Sequence, residues 1–258
     1  MQAQGRPARH GALELLPAGL PGPAAGGFTT RTGGVSAGPW STAHVARHVG
    51  DDPEHVSANR QLLAREVGLA PERLVFAEQV HGRGVALVDD GAAGQAPVAA
   101  VDALVTAVPG LALVMMAADC LPVLLAEPVA GVVAAVHAGR QGLAAGVLQE
   151  ALRVMAEQGA QPGRTSAVLG PAVCGRCYEL PTEVADEVEA AVPGSRSRTR
   201  QGTAGVDLTA GAEAVLARAG VGQVRRVGGC TLEQPEAFYS YRGSGTTGRH
   251  AGLVWLRA

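Results

Sequence analysis

Two continuous runs of apolar residues, each about as long as a β-strand, constrain the fold of this chain more than any other feature. They are LALVMMAADC at residues 111–120 and VAGVVAAVHAG at residues 129–139. A strand with one face in water alternates apolar and polar side chains, so an unbroken apolar run of this length indicates a strand buried on both faces. The chain is therefore expected to fold around such strands.

Four segments have the apolar periodicity of amphipathic helices, and further short apolar runs typical of strands lie among them. The helical segments are residues 51–69, 141–160, 181–192 and 207–221. Strands and helices follow each other without strict alternation, which is typical of an α/β domain with mixed sheets. We predict one such domain over residues 28–258, after a loose lead-in at residues 1–27 that is rich in Gly, Pro and Ala and holds one short strand.

The amino-acid composition argues against several classes of binding partner. The 258 residues carry a formal net charge of −2 and only 3% aromatic side chains, so neither a basic surface for nucleic acid nor a platform for stacking bases is expected. No apolar run is long enough to cross a membrane, and the N-terminus lacks the apolar centre of a secretory signal. Four cysteines do not make a disulfide framework, so we expect a cytoplasmic protein. The sequence leaves the oligomeric state open, a monomer included.

Three metal-competent side chains each end an apolar strand directly before a turn. They are His81 in EQVHG, Cys120 in AADC and His137 in AAVHAG. A strand end fixes a side chain while the following loop leaves it accessible, which suits a functional group. Two His and one Cys can supply three ligands to a tetrahedral zinc and leave a fourth position open, as catalytic zinc sites do.

The same residues also have ordinary structural interpretations. A single Cys in an apolar strand is most often buried filler, and a single His at a strand end is as often a structural hydrogen-bonding group as a ligand. The spacings, 39 positions from His81 to Cys120 and 17 from Cys120 to His137, match no compact zinc motif. Asp119 is the nearest acid, but adjacent residues of a strand point to opposite faces, so its role stays open.

The other cysteines give a weaker signal. Cys174 and Cys177 form a CxxC, which can be a redox motif or half of a zinc site. No second CxxC exists, so a structural zinc site with four cysteines is excluded, and structural or incidental cysteines are the favoured interpretation. Cys230 ends another strand and is expected either near the pocket or packed in the core.

Two Gly-rich polar segments could bind an anion. Residues 28–38 place Arg31 and Ser36 beside glycines, and residues 238–252 contain Arg242. An arginine with nearby hydroxyls and free backbone N–H groups can hold a phosphate. An ordinary Gly-rich turn explains the first segment equally well, and no Walker A sequence follows it.

A series of short motifs resembles the YfiH family of laccase-domain proteins, long labelled polyphenol oxidases. In chain order they are FTTRTGGVS, QVHG, DALVT, ADCLPVLL, VHAG, LGPAVCGRCYEL, SYR and TGRHAGLVWL. The resemblance implies a layered α/β domain in which mixed sheets are sandwiched between helices. It also implies a Zn²⁺ site at His81, Cys120 and His137, and these three are then the expected catalytic residues together with Arg31.

The resemblance further implies a purine nucleoside phosphorylase that acts on adenosine, inosine, guanosine and 5′-methylthioadenosine, often with adenosine deaminase activity. Phosphate would attack ribose C1′, with Arg31 foremost and Arg242 or Arg140 next as its binding groups. Arg31, Ser36 and Arg242 are the expected substrate-binding residues. One motif departs from the family, which usually reads HAGWRG: this chain has Arg140 and Gln141 at the Trp and Arg positions.

Three other functions are weighed against phosphorolysis. Cys120 could be the nucleophile of a metal-free hydrolase with His137 or His81 as its base. Copper-dependent phenol oxidation needs many histidine ligands, and this chain has seven His and no His-X-His pair, which argues against it. A non-enzymatic protein that only binds a partner is the third alternative, and HAGRQG is the one feature that hints at it.

Overall fold

Two mixed β-sheets packed face to face form the centre of the computed structural model, which describes residues 12–258. In sheet order, the first has five strands, β1-β2-β13-β6-β3, and the second has six, β12-β9-β7-β8-β5-β4; β10 and β11 form a separate ribbon. The strands are β1 Leu15–Pro17, β2 Ala24–Thr29, β3 Leu74–Phe76, β4 Val85–Leu87, β5 Ala103–Thr106, β6 Ala112–Ala117, β7 Leu121–Glu127, β8 Val132–Ala138, β9 Ser166–Leu169, β10 Arg196–Arg198, β11 Ala204–Val206, β12 Gln223–Arg226 and β13 His250–Leu256.

Helices cover the outer faces of the two sheets. They are α1 Pro53–Val67, α2 Arg140–Ala145, α3 Val147–Glu157, α4 Thr182–Ala191, α5 Leu208–Arg218 and α6 Tyr241–Ser244, with short 3-10 turns at Gly38–Trp40, Pro71–Arg73, Asp90–Ala92 and Pro162–Arg164. None of the helices within residues 12–258 has both the length and the apolar character needed to cross a membrane.

The alternation of side chains along β6 shows why its sequence is apolar throughout. Leu113 and Met115 pack in the core between the sheets, whereas Val114 and Met116 lie on the opposite face of their sheet, which α1 covers. Residues of β8 divide in the same way between the sheet interface and α2 to α5. The chain is therefore a mixed α+β domain of four layers, helix, sheet, sheet, helix, and the predicted strands buried on both faces are confirmed.

The helix predicted over residues 141–160 is in fact two helices. Gly146 has φ of 91°, a left-handed conformation that ends α2 and precedes α3. Apolar periodicity continues across the break because both helices bury the same side of the chain, so periodicity alone did not reveal it. The other three predicted helices are confirmed within a few residues of their expected ends.

The lead-in predicted for residues 1–27 lies partly outside the described residues. Its described part contributes β1 and the first four of the six residues of β2, and β2 lies inside the five-stranded sheet. The glycines that suggested a loose connection have a packing role there: a Cβ on Gly26 would lie 2.7 Å from the Leu253 carbonyl oxygen, and one on Gly27 equally close to that of Leu16. This part of the chain therefore belongs to the sheet.

Candidate metal centre and cavity

The three strand-end residues His81, Cys120 and His137 meet at one place. Each can present one ligand atom such that all three atoms lie within 4.8 Å of one another. The antiparallel register of β7 and β8 pairs Leu121 with Ala138 and Pro122 with His137, which sets Cys120 beside His137. His81 comes from the turn after β3, and its ring meets that of His137 edge to face at 4.8 Å between centroids.

A buried carboxylate that the sequence analysis did not single out holds two of these residues. Asp102, directly before β5, is fully buried and accepts a hydrogen bond from His137 Nδ1 at 2.8 Å. It also accepts the backbone N–H groups of His81 at 2.9 Å and Gly82 at 2.7 Å. Burial by itself raises the pKa of Asp102, but the hydrogen bonds from His137 and the backbone lower it overall. The ionised carboxylate therefore directs His137 Nε2 towards Cys120.

The same carboxylate fixes an unusual backbone conformation at His81. This residue has φ of 59°, in the left-handed region that side chains other than glycine rarely adopt. Asp102 holds this turn in place, because its carboxylate accepts hydrogen bonds from the backbone N–H groups of His81 and Gly82. Such strain is tolerated where surrounding contacts enforce it, and here it points the imidazole at Cys120 and His137.

The protonation of Cys120 and His137 is coupled. Burial by itself raises the pKa of the Cys120 thiol, but His137 and His81 lower it from 9.0 to about 6. Burial by itself lowers the pKa of His137, but the Cys120 thiolate and Asp102 raise it from 6.5 to about 9. In the absence of metal, the two opposite shifts favour a thiolate on Cys120 paired with an imidazolium on His137. Zinc binding to such a pair would displace a proton from His137.

Gly139 leaves the space in which His81, Cys120 and His137, hereafter the triad, meet. A Cβ at this position would lie 2.9 Å from His81 Cδ2 and 3.1 Å from Cys120 Sγ. The residue after the β8 strand must therefore be small, because any side chain would press on His81 and Cys120 at once. The donor set of two imidazoles and a thiolate, and their mutual distances, fit a zinc ion, and this set is also known from mononuclear copper sites.

A cavity of about 630 Å³ opens onto the triad. This volume lies within the range of sites for small molecules and cofactors. Besides the triad, the cavity is lined by His48, Gln79, Met116, Ala117, Ala118, Asp119, Arg140, Gln141, Val173, Tyr178, Leu208, Tyr241, Arg242 and Arg249.

Three arginines give this cavity its charge. Arg140, Arg242 and Arg249 line it, and two of them stack on aromatic rings: the Arg242 guanidinium lies 4.8 Å from the centroid of Tyr178, and that of Arg249 5.9 Å from the centroid of Tyr241. The one acid in the lining is Asp119. The cavity is thus suited to an anion, and its tyrosines offer flat apolar surface.

Asp119 has a bracing role. Its carboxylate accepts the Thr231 hydroxyl and the backbone N–H of Arg242, each at 2.6 Å. Its own backbone is left-handed, with φ of 83°, because the chain turns sharply between β6 and β7. This turn explains how Asp119 and Cys120, though adjacent, both reach the cavity.

The structure does not bring Arg31 and Ser36 into the cavity. Arg31 donates from Nε to the Ser41 carbonyl at 2.9 Å and from Nη1 to the Pro235 carbonyl at 2.7 Å. Ser36 is buried and donates to Asp51 at 2.6 Å. Their Gly-rich segment therefore makes structural contacts, and its predicted role in substrate binding is not supported by where these side chains lie. Arg242, the third predicted substrate-binding residue, does line the cavity.

Comparison with known proteins identifies the family of this chain. Residues 25–257 match the family model described as multi-copper polyphenol oxidoreductase laccase. The chain belongs to this laccase-domain family. The chain is 54% identical over 229 residues to a Streptomyces griseus protein named purine nucleoside phosphorylase ORF3, covering 89% of this chain and 93% of the relative.

Two more distant members of the family extend the comparison. A Shigella flexneri protein named purine nucleoside phosphorylase YfiH is 38% identical over 240 residues, covering 92% of this chain and 96% of the relative. The crystal structure of YlmD from Geobacillus stearothermophilus superposes with a TM-score of 0.90 at 31% identity, covering 98% of both chains. The resemblance noted in the sequence is therefore confirmed, and so is the implied fold.

Proposed function

We propose that this chain is a zinc-dependent purine nucleoside phosphorylase. The observation that carries the proposal is the convergence of three arginines, two tyrosines and a His-Cys-His set in one cavity. The relatives named purine nucleoside phosphorylase support it, since they match nearly the whole chain. The proposed substrates are inorganic phosphate with adenosine, inosine, guanosine or 5′-methylthioadenosine.

In this reaction a phosphate oxygen forms a bond to ribose C1′ while the bond from C1′ to the purine nitrogen breaks, and the leaving base takes up a proton. The residues Arg140, Arg242 and Arg249 would bind and orient the phosphate, so that charge and position lower the barrier. Tyr178 and Tyr241 would contact the flat base. His81, Cys120 and His137 would hold the zinc, whose contribution is that of a Lewis acid beside the reacting groups.

The test is the phosphate dependence of base release. Purified zinc-loaded protein is incubated with each of the four nucleosides, with and without phosphate, and the free base and ribose 1-phosphate are measured. Phosphorolysis gives equal amounts of both products only when phosphate is present. Base release that needs no phosphate and yields free ribose would overturn the proposal.

Adenosine deaminase activity is a separate proposal for the same cavity. It requires a proton shuttle, and both oxygens of Asp119, the acid in the lining, are already hydrogen-bonded. We therefore propose that deamination is slower than phosphorolysis of the same substrate. Ammonia release from adenosine measures it, and release faster than that of adenine would contradict this order.

One specific observation supports a second candidate function, that of a metal-free cysteine hydrolase. In space, Asp102 contacts His137 and His137 contacts Cys120, which is the arrangement of an orienting acid, a base and a nucleophile. The pKa of Cys120 is lowered to about 6. Chelation separates the two functions. A hydrolase of this kind keeps or gains activity when zinc is removed and is inactivated by iodoacetamide, whereas the phosphorylase loses activity on chelation and regains it with zinc.

A further inference from the structure

A second group of potential ligands lies outside the cavity. Each of Cys174, Cys177, Cys230 and Glu233 can present one ligand atom such that all four atoms lie within 4.8 Å of one another. Cys230 is buried, the other two cysteines are half-buried, and Glu233 is exposed. No disulfide joins these cysteines. The CxxC that had no partner in the sequence is thus completed by a CxxE more than fifty residues further along the chain.

The fold explains why these two segments meet. The strands β9 and β12 are parallel neighbours with Leu169 opposite Arg226, so the loops that follow them leave from the same edge of the sheet. An isolated parallel bridge between Ala172 and Cys230 continues this pairing into the loops. The backbone N–H of Cys174 then lies 3.3 Å from Cys230 Sγ. The cluster is therefore fixed by sheet topology.

We propose that Cys174, Cys177, Cys230 and Glu233 bind a second, structural zinc ion. Three thiolates and one carboxylate make a closed four-coordinate set, with no position left for a substrate. Glu233 Oε1 lies 3.2 Å from Cys177 Sγ and 3.6 Å from Cys174 Sγ. In a tetrahedral site with zinc–sulfur bonds of about 2.3 Å, the sulfur atoms lie about 3.8 Å apart. Since all four ligand atoms already lie within 4.8 Å of one another, no pair would have to approach by more than about 1 Å to seat the ion.

Neighbouring charges suit this site. Three thiolates and a carboxylate carry four negative charges, two more than one Zn²⁺ ion neutralises. Two arginines lie beside them. Arg200 Nη2 donates to Glu233 Oε1, and Arg176 lies between the two cysteines of the CxxC and acts on Glu233 by its charge. Each oxygen of an ionised carboxylate has two lone pairs, so Glu233 Oε1 can accept from Arg200 and also bind the ion.

The second site is linked to the cavity through both of its loops. Val173 and Tyr178, which flank the CxxC, line the cavity. Thr231, next to Cys230, donates its hydroxyl to Asp119 beside the first site. An ion bound here would fix the wall that carries Tyr178. The inference is independent of the proposed function, since metal content and thiol protection test it.

The first experiment is a zinc count. Protein purified under reducing conditions is equilibrated with zinc, passed through a desalting column and analysed for metal. We expect about two zinc per chain in the wild type and about one in either Cys177→Ser or Cys120→Ser, each of which loses a different ion. Glu236→Gln, an exposed change three residues after Glu233, is the control and keeps both. A wild type with one zinc, lost entirely in Cys120→Ser and retained in Cys177→Ser, would overturn the proposal.

The second experiment uses only the wild type, in case a variant does not fold. Folded protein is alkylated with N-ethylmaleimide, with zinc bound or after chelation, and the modified cysteines are mapped by mass spectrometry. Protection of Cys174, Cys177 and Cys230 that chelation removes supports the site. Equal modification in both states, or a Cys174–Cys177 disulfide in protein kept under reducing conditions, rejects it.

Discussion

Asp102 accepts a hydrogen bond from His137 Nδ1 at 2.8 Å, inside the core and with no exposed surface of its own. A carboxylate in this position fixes the tautomer and ring orientation of a histidine, so that Nε2 is left free to bind a metal ion. Because the same carboxylate also holds the N–H of His81, one residue aligns two members of the candidate metal site.

Replacing Asp102 should weaken the metal site without removing a ligand. Asp102→Asn puts an amide N–H₂ among groups that are themselves donors, so at least one hydrogen bond to His137 or to the His81 turn is lost. We expect zinc affinity to fall about 10- to 100-fold, measured by competition with a chromophoric chelator. Asp186→Asn, at an exposed ion pair with Arg196, is the control. Equal zinc affinity in the Asp102 variant and the wild type would show that the carboxylate has no positioning role.

The strands were predictable from the sequence because burial on both faces leaves a pattern that few other structures share. Residues 111–120 and 129–139 became β6 and β8 for this reason. The strand β7 between them was not predicted, since Pro122 near its start is typical of a turn or an edge. In the structure Pro122 lies just beyond the end of the ladder between β7 and β9, which begins with Val123 opposite Leu169, and a missing N–H is tolerated at such a position.

The candidate site could be proposed from the sequence because three metal-competent side chains each follow an apolar run. That His81, Cys120 and His137 lie together is supplied by the fold. Asp102 precedes its strand and carries no such mark, and its role depends on a register that only the fold supplies. Arg31 cannot be assigned from its sequence context, because a Gly-rich loop with an arginine looks alike whether it binds phosphate or neighbouring carbonyl groups, and in the structure Arg31 donates to the Ser41 and Pro235 carbonyls.

The space left by Gly139 can be tested directly. In Gly139→Ala the added Cβ would press on His81 Cδ2 and Cys120 Sγ and displace both by a few tenths of an ångström. We expect kcat/KM for inosine phosphorolysis to fall about 10- to 100-fold, since small displacements of catalytic groups have large effects on rate. Gly163→Ala, where no atom lies within 4 Å of the new Cβ, is the matched control. Full activity in both variants would mean that the triad is not at the reacting centre.

The arginines of the cavity should set the affinity for phosphate. Arg242→Gln removes a cavity charge while its backbone N–H still binds Asp119, and we expect KM for phosphate to rise about tenfold, the usual effect of losing one charged hydrogen bond. Arg31→Gln should leave KM for phosphate unchanged and lower the melting temperature, because Arg31 binds the Ser41 and Pro235 carbonyls. Saturation kinetics in phosphate for both variants distinguish the two sites. A rise confined to the Arg31 variant would restore the prediction made from the sequence.

A buried histidine should make the fold sensitive to acid. His44 is fully buried, and its Nδ1 accepts the backbone N–H of Arg249 at 2.8 Å, a contact that requires this nitrogen to be unprotonated. Burial lowers the pKa of His44 to about 4, against 6.5 for the free side chain. Between about pH 6.5 and 4, the unfolded chain therefore binds a proton at this residue that the folded chain does not. The free energy of unfolding falls as the pH drops through this range, by up to about 3 kcal/mol for this residue.

The variant His44→Asn tests this origin of acid sensitivity, since the amide oxygen of Asn can accept the same N–H without titrating. Urea unfolding at pH 7.5 and pH 5 gives the free energy of unfolding at each pH. We expect the loss between the two pH values to be smaller in His44→Asn than in the wild type, and unchanged in His55→Gln, which replaces a more exposed histidine of α1. An identical pH dependence in His44→Asn and the wild type would place the acid sensitivity elsewhere, with the fully buried His250, whose pKa is also lowered by burial to about 4, as the next group to examine.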